Sequence, residues 1–168
     1  MDQKKILLDT NIYGLIIVDK DIEEVNVGRL RNKNGLIIYG VDIIRKELRA
    51  IPKYLKYDGR KLRMLVLGLY DNVVKSHSLK ITDNINEIGE KYFLIYKKLG
   101  GGVSKDKIMT DFYIIAVASV KEMDIVVSDD HKTMLSNNAT KAYEIVNELF
   151  GLRTPRLIGY EKFKRWLV

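Results

Sequence analysis

Cysteine is absent from this chain of 168 residues. That excludes disulfides, thiolate metal centres and cysteine nucleophiles together. Histidine is scarce, with only His77 and His131, too few for a multi-histidine metal site. Any metal must then be held by oxygen, which favours Mg²⁺ or Mn²⁺. No apolar run approaches the roughly 18–20 residues that cross a bilayer, so no membrane role is expected. The N-terminus lacks the apolar core of a secretory signal, and cytoplasmic residence is the expectation. Internal repeats, low-complexity tracts and linkers are missing as well.

What is present describes a globular domain. Hydrophobic residues make up 46% of the chain and charged residues 30%. Domains usually run to about 100–200 residues, so one domain over residues 1–168 is expected. A net charge of +7 favours a polyanionic partner such as nucleic acid.

Ile6-Leu7-Leu8 is a short apolar run that stops at Asp9-Thr10-Asn11. Such a run, bounded by polar residues, predicts a strand buried on both faces. In parallel α/β sheets, ligands gather beyond the carboxyl ends of the strands, where Asp9 would stand. The plainer alternative is that Asp9 or Thr10 caps the next helix.

Further along, a helix or two short ones are expected over Ile12–Val18 and Asp19–Glu24. A second strand is expected at Leu36–Gly40, then a helix from Val41 to Ile51 that Pro52 ends. Leu62, Leu65, Val66 and Leu69 predict another helix after Gly59, and Val73–Leu79 a strand or extended connection. Asp83 reads as the cap of a helix to about Leu99, with Ile85, Ile88, Tyr92, Ile95 and Leu99 inward and Gly100-Gly101-Gly102 stopping it. A long amphipathic helix should cover Lys105–Met123, and a strand Ile125–Val127. A helix over Lys141–Phe150, a strand near Arg156–Gly159 and a short helix through Trp166 complete the pattern. Strands alternating with helices predict a parallel sheet in a three-layer α/β/α sandwich.

Several acids can meet Asp9. Ile125–Val127 also ends in acid, at Ser128-Asp129-Asp130. Asp111 precedes a run carrying Ala116 and Ala118, which lets that helix approach the sheet closely. Glu47, beside Leu48, can reach across from the helix after the second strand. Two carboxylates about 4 Å apart repel by roughly 4 kcal/mol at an effective dielectric near 20. Four in one cleft need protons or a divalent cation to offset their charge.

Ile6-Leu7-Leu8-Asp9-Thr10-Asn11-Ile12, Val41-Asp42-Ile43-Ile44-Arg45-Lys46-Glu47-Leu48, Asp111-Phe112-Tyr113-Ile114-Ile115-Ala116-Val117-Ala118 and Val126-Val127-Ser128-Asp129-Asp130 together resemble the four motifs of PIN-domain ribonucleases, in order and in spacing. Arg156–Trp166 resembles that family's closing strand and helix. The resemblance covers nearly the whole chain and implies a PIN-like fold. It also implies Mg²⁺- or Mn²⁺-dependent endonucleolytic hydrolysis of single-stranded RNA. By the same resemblance Asp9, Glu47, Asp111 and Asp130 are the metal-binding carboxylates, and Thr10, Asn11 and Ser128 support them. Asp9 would be the central ligand, with Glu47 holding a second metal or orienting water. The acidic doublet leaves the fourth ligand open between Asp130, which the Ser-x-Asp pattern favours, and Asp129. RNA is the implied partner; a homodimer and an inhibitory protein partner are compatible with it. The chain between Glu47 and Asp111 looks longer than a minimal toxin-type PIN domain needs.

Arg45 to Arg63 is the most basic stretch. Arg45, Lys46, Arg49, Lys53, Lys56, Arg60, Lys61 and Arg63 can hold phosphates, and Tyr54 and Tyr57 can stack on unpaired bases. A solvated helix face is the alternative. Asp106 fits a helix cap and His131 an ordinary surface residue. Tyr92, Phe93, Tyr96 and Phe112 read as packing. Two other functions compete: a non-catalytic PIN-like RNA-binding or scaffold module, and an aspartate-based phosphotransferase of the haloacid-dehalogenase type. The second needs another acid where Asn11 stands.

Overall fold

The computed structural model describes residues 3–22 and 35–167. Its strands are β1 (Lys4–Leu8), β2 (Leu36–Val41), β3 (Lys56–Tyr57), β4 (Arg60–Lys61), β5 (Ser78–Leu79), β6 (Ile125–Val127) and β7 (Arg156–Ile158). Its helices are α1 (Thr10–Val18), α2 (Asp42–Ala50), α3 (Leu62–Val74), α4 (Asp83–Lys98), α5 (Lys105–Val120), α6 (Asn137–Leu149) and α7 (Tyr160–Lys164). Five strands form one parallel sheet in the order β5-β2-β1-β6-β7, while β3 and β4 pair antiparallel on their own. One helix group, α1 to α3, packs together, and α4 to α6 form the other. The result is the expected three-layer α/β/α sandwich.

β1 is central because it can be: Ile6, Leu7 and Leu8 are fully buried, as a strand covered on both faces requires. The chain builds the sheet on one side of β1 through β2 and β5, then returns to the other side with β6 and β7. That reversal makes the carboxyl ends of β1 and β6 a topological switch point, the place where open α/β sheets bind ligands.

α5 departs from the amphipathic expectation. Ile114 to Ser119 are all buried, so the helix is enclosed rather than half-solvated. Tyr92, Tyr96, Phe112 and Tyr143 meet edge-to-face around it. A buried polar knot ties the second helix group. Tyr92 Oη donates to Asn147 Oδ1 at 2.5 Å, and Asn147 Nδ2 donates to Ser119 Oγ at 3.0 Å and Thr154 Oγ1 at 2.9 Å. Asn147→Ala removes three of these hydrogen bonds, leaving Tyr92 Oη to Ser119 Oγ at 3.1 Å and Ser119 Oγ to Ile115 O at 2.9 Å. It should lower the unfolding free energy by about 2 kcal/mol in urea titration, the scale of two or three lost hydrogen bonds at about 1 kcal/mol each; an unchanged midpoint would contradict that.

Other expectations need correction. Val73 and Val74 are the last turn of α3, because packing buries both; only Ser78–Leu79 is strand. Thr82, not Asp83, caps α4, its Oγ1 accepting from Ile85 N. Tyr96 rather than Leu99 continues the buried face of α4, and Ile95 is only half-buried. α6 begins at Asn137, earlier than expected. The helix expected over Asp19–Glu24 is a turn at Lys20–Asp21, and its remainder, from Glu23, lies outside the described residues.

Candidate active site

Backbone pairing brings the first two acidic segments together. Asp9 N donates to Val127 O at 2.9 Å, one step past the Leu8–Val127 register pair. Ser128 then stands beside Asp9, and its Oγ donates to Asp9 Oδ2 at 2.7 Å. Asp9 Oδ1 accepts from Thr10 N at 2.7 Å, so Asp9 also occupies the cap position of α1. Asp9 therefore stands at the carboxyl end of β1 and caps α1 at once. Thr10 Oγ1 turns the other way and donates to Glu47 Oε2. Asp111 lies in the second turn of α5 rather than at its opening, and its Oδ2 accepts from Thr133 Oγ1. Asp130 Oδ1 accepts from Lys132 N at 3.1 Å and Thr133 N at 3.0 Å, while its own N–H goes to Ser128 Oγ at 3.1 Å.

Three hydroxyls thus interleave with four carboxylates from four separate segments. Thr133 is the member that the sequence reading missed. Its signal is the spacing Asp130-x-x-Thr133, in which a side-chain carboxylate closes a turn onto later backbone N–H groups. Asn11 is exposed.

The electrostatics follow from burial. Asp9, only 5% exposed, has its pKa pushed up to about 6. Desolvation is the main cause, opposed by the Ser128 and Thr10 hydrogen bonds and reinforced by Glu47 and Asp130. Asp111 is pushed up to about 7, again mainly by desolvation, with Thr133 opposing and Asp9, Asp130 and Glu47 reinforcing. Asp111 thus feels the other three acids, and Asp9 feels Glu47 and Asp130.

Among the described residues no three His, Cys, Asp or Glu side chains form a group that could hold a metal ion as it stands. The donor chemistry nonetheless fits a hard cation. Glu47 Oε1, Asp111 Oδ1 and Asp130 Oδ2 accept no hydrogen bond among the described residues.

Asp129 faces elsewhere. Its Oδ1 accepts from Tyr160 N at 2.7 Å and so holds the start of α7. α7 is fastened at its other end as well, where Lys164 Nζ lies 2.8 Å from both Asp19 and Asp21. The fold gives Asp129 to the scaffold and leaves Asp130 beside Asp9 and Asp111.

The basic stretch divides too. Arg45 makes a two-pronged pair with Asp71 at 2.8 Å, Arg63 Nη1 donates to Arg49 O at 3.2 Å, and Tyr57 Oη donates to Val18 O at 3.3 Å. Lys46, Arg49, Lys53, Tyr54, Lys56, Arg60 and Lys61 are exposed.

The chain matches no protein-family model and no curated protein. Solved structures resemble it over most of its length. FitAcB from Neisseria gonorrhoeae superposes with a TM-score of 0.57 at 17% identity, covering 92% of this chain and 97% of that one. VapBC2 from Rickettsia felis, bound to a DNA fragment from their promoter, gives 0.57 at 15% identity over 92% and 98%. DNA-bound VapBC from Salmonella typhimurium gives 0.58 at 15% identity over 94% and 99%. In these toxin–antitoxin complexes the toxin is a PIN domain. The fold of this chain is a PIN-domain fold. No helix among the described residues is long and apolar enough to cross a membrane.

Proposed function

We propose that this protein is an endoribonuclease that hydrolyses phosphodiester bonds of single-stranded RNA with Mg²⁺ or Mn²⁺. The observation that carries the reading is the chain of hydrogen bonds that links Glu47, Asp9, Asp130 and Asp111 through Thr10, Ser128 and Thr133 at the carboxyl ends of β1 and β6. Asp9, Asp111 and Asp130 would hold the cation, with Glu47 binding a second one or orienting water. Bound there, a divalent cation would offset the carboxylate charge, acidify water and stabilise charge gathering on the phosphate. The protein's own groups do the rest. Glu47 Oε1, which accepts no hydrogen bond among the described residues, is placed to orient an attacking water. Ser128, Thr10 and Thr133 fix the orientation of the acids through their hydroxyl donors.

The test is cleavage of an end-labelled unstructured RNA with Mg²⁺, Mn²⁺ or chelator. Metal-stimulated internal cuts support the reading, and an intact RNA under every condition refutes it. The separation of roles within the doublet gives a sharper expectation. Asp130→Asn should remove cleavage, whereas Asp129→Ala should lower stability by about 1–2 kcal/mol through loss of a charge-assisted hydrogen bond. Thermal unfolding of the two variants beside a cleavage assay checks this, and the reverse pattern would contradict it.

That no three acidic or histidine side chains among the described residues are grouped to hold a metal favours a second reading, a PIN-like module that binds RNA without cutting it. Binding that persists with no cleavage across Mg²⁺ and Mn²⁺ titrations would select it. Because the structural neighbours are toxin–antitoxin complexes, we also place this chain with a protein partner that restrains it. Co-purification of one stoichiometric partner whose removal raises cleavage would support that.

A further inference from the structure

β3 and β4 form a two-stranded ribbon closed by Asp58 and Gly59, whose φ angles of 48° and 73° are both left-handed. Such a turn matches the natural twist of a hairpin. Leu62 N donates to Leu55 O at 2.9 Å across its base, and Tyr57 Oη fastens it to the last residue of α1. The ribbon is therefore held in place. What it displays is unfavourable for the folded chain alone. Lys56 stands directly opposite Lys61, and like charges facing across a strand pair destabilise it. Among the described residues no acid forms an ion pair with Lys53, Lys56, Arg60 or Lys61. Beside them Tyr54 is 79% exposed, the most exposed large hydrophobic side chain described, and its ring meets no other.

A two-stranded ribbon is marginal by itself. Cations serving only to stabilise it would be paired with acids. Unpaired cations around one bare ring suit a ligand that brings its own negative charges and flat apolar faces.

We propose that the β3–β4 ribbon is a docking element for single-stranded RNA, with Lys53, Lys56, Arg60 and Lys61 on phosphates and Tyr54 stacked on one base. A single exposed ring favours an unpaired strand, because duplex bases are already stacked on one another. The choice of RNA rests on the nuclease reading; the polyanion chemistry does not. From Thr10 to Val18, α1 spans about 12 Å. At roughly 3.4 Å per phosphate, a stacked strand crosses that in about four nucleotides. Only substrates longer than this engage both the acids and the ribbon.

The test is fluorescence anisotropy of a labelled unstructured RNA of about twelve nucleotides. It is run over a KCl series with chelator present and the full chain carrying Asp9→Asn, so that cleavage is suppressed. Adding Lys56→Gln and Lys61→Gln should make the slope of log K against log salt shallower by about 1.4, two phosphate contacts at about 0.7 each. Tyr54→Ala should weaken binding about tenfold with the slope unchanged. The lysine variant should unfold at the same or a higher temperature, because a repulsion has been removed. An unchanged slope, an unaffected Tyr54→Ala variant, a lower unfolding temperature, or duplex DNA bound as tightly as the RNA would each overturn the proposal. Cleavage by the parent chain is read separately. A chain that binds through the ribbon yet never cuts refutes the nuclease reading alone; one that cuts while its binding ignores the ribbon refutes this proposal alone.

Discussion

Asp9→Asn should reduce cleavage of single-stranded RNA by two to three orders of magnitude, roughly what removal of one preorganised charge-stabilising group costs an enzyme. The reason lies in its position. Asp9 is the most buried of the four acids and follows the central strand directly. It is tied on one side to Ser128 and on the other to Thr10, which in turn holds Glu47. An amide of the same shape keeps an oxygen for Ser128 or Thr10 while losing the charge. The fold should survive, and single-turnover cleavage beside thermal unfolding separates the two effects. Asp111→Asn should be comparably damaging, and the double variant little worse than either, because groups that act as a unit do not add. Full activity in Asp9→Asn would remove this residue from the chemistry.

The second large effect is on stability against pH. Asp9 and Asp111 both bind their protons more tightly in the folded chain than the ordinary carboxyl value of 3.8 allows. Between that value and about 6 to 7, the folded state carries more protons than the unfolded one. Stability without divalent cations must then fall as pH rises through this window. At about 1.4 kcal/mol per unit, the loss reaches several kcal/mol, less than the simple sum because the two groups share their mutual repulsion. Asp19 and Asp71 are shifted down, by their contacts with Lys164 and Arg45 respectively. Their contribution is lost only below the ordinary carboxyl range, so the two windows do not overlap. Urea midpoints taken from pH 4 to pH 7 should fall, recover on adding Mn²⁺ by mass action, and stay nearly level in the Asp9→Asn, Asp111→Asn double variant. Midpoints that rise across that window would contradict the assignment of both groups.

Which parts of this were legible in the sequence has physical causes. β1 and β6 stood out because a strand covered on both faces must be uniformly apolar, and Ile6–Leu8 and Ile125–Val127 are. The acids at their ends were visible for the same reason. Helix α5 was legible as a helix but not as an enclosed one, since Ala116 and Ala118 carry no periodic mark of how closely their neighbours approach. The Val73-Val74 pair looked like strand because β-branched residues favour it, yet packing against the core placed both at the end of α3. The one signal of the β3–β4 ribbon, the turn pair Asp58-Gly59, was passed over because the strands beside it are two residues long and exposed on most positions. The choice between Asp129 and Asp130 is invisible in one dimension. Adjacent residues leaving a strand point to opposite sides, so one carboxylate caps α7 while its neighbour joins Asp9 and Asp111. Thr133 went unnoticed because its role exists only once the turn closes.

A crystal of the protein soaked in Mn²⁺ and measured at the manganese absorption edge examines the convergence of the acids without any assay of activity. Anomalous density should lie within the space bounded by Asp9, Glu47, Asp111 and Asp130, with Asp129 still on the α7 backbone. Density at Asp129 or elsewhere on the surface, with that space empty, would contradict the account.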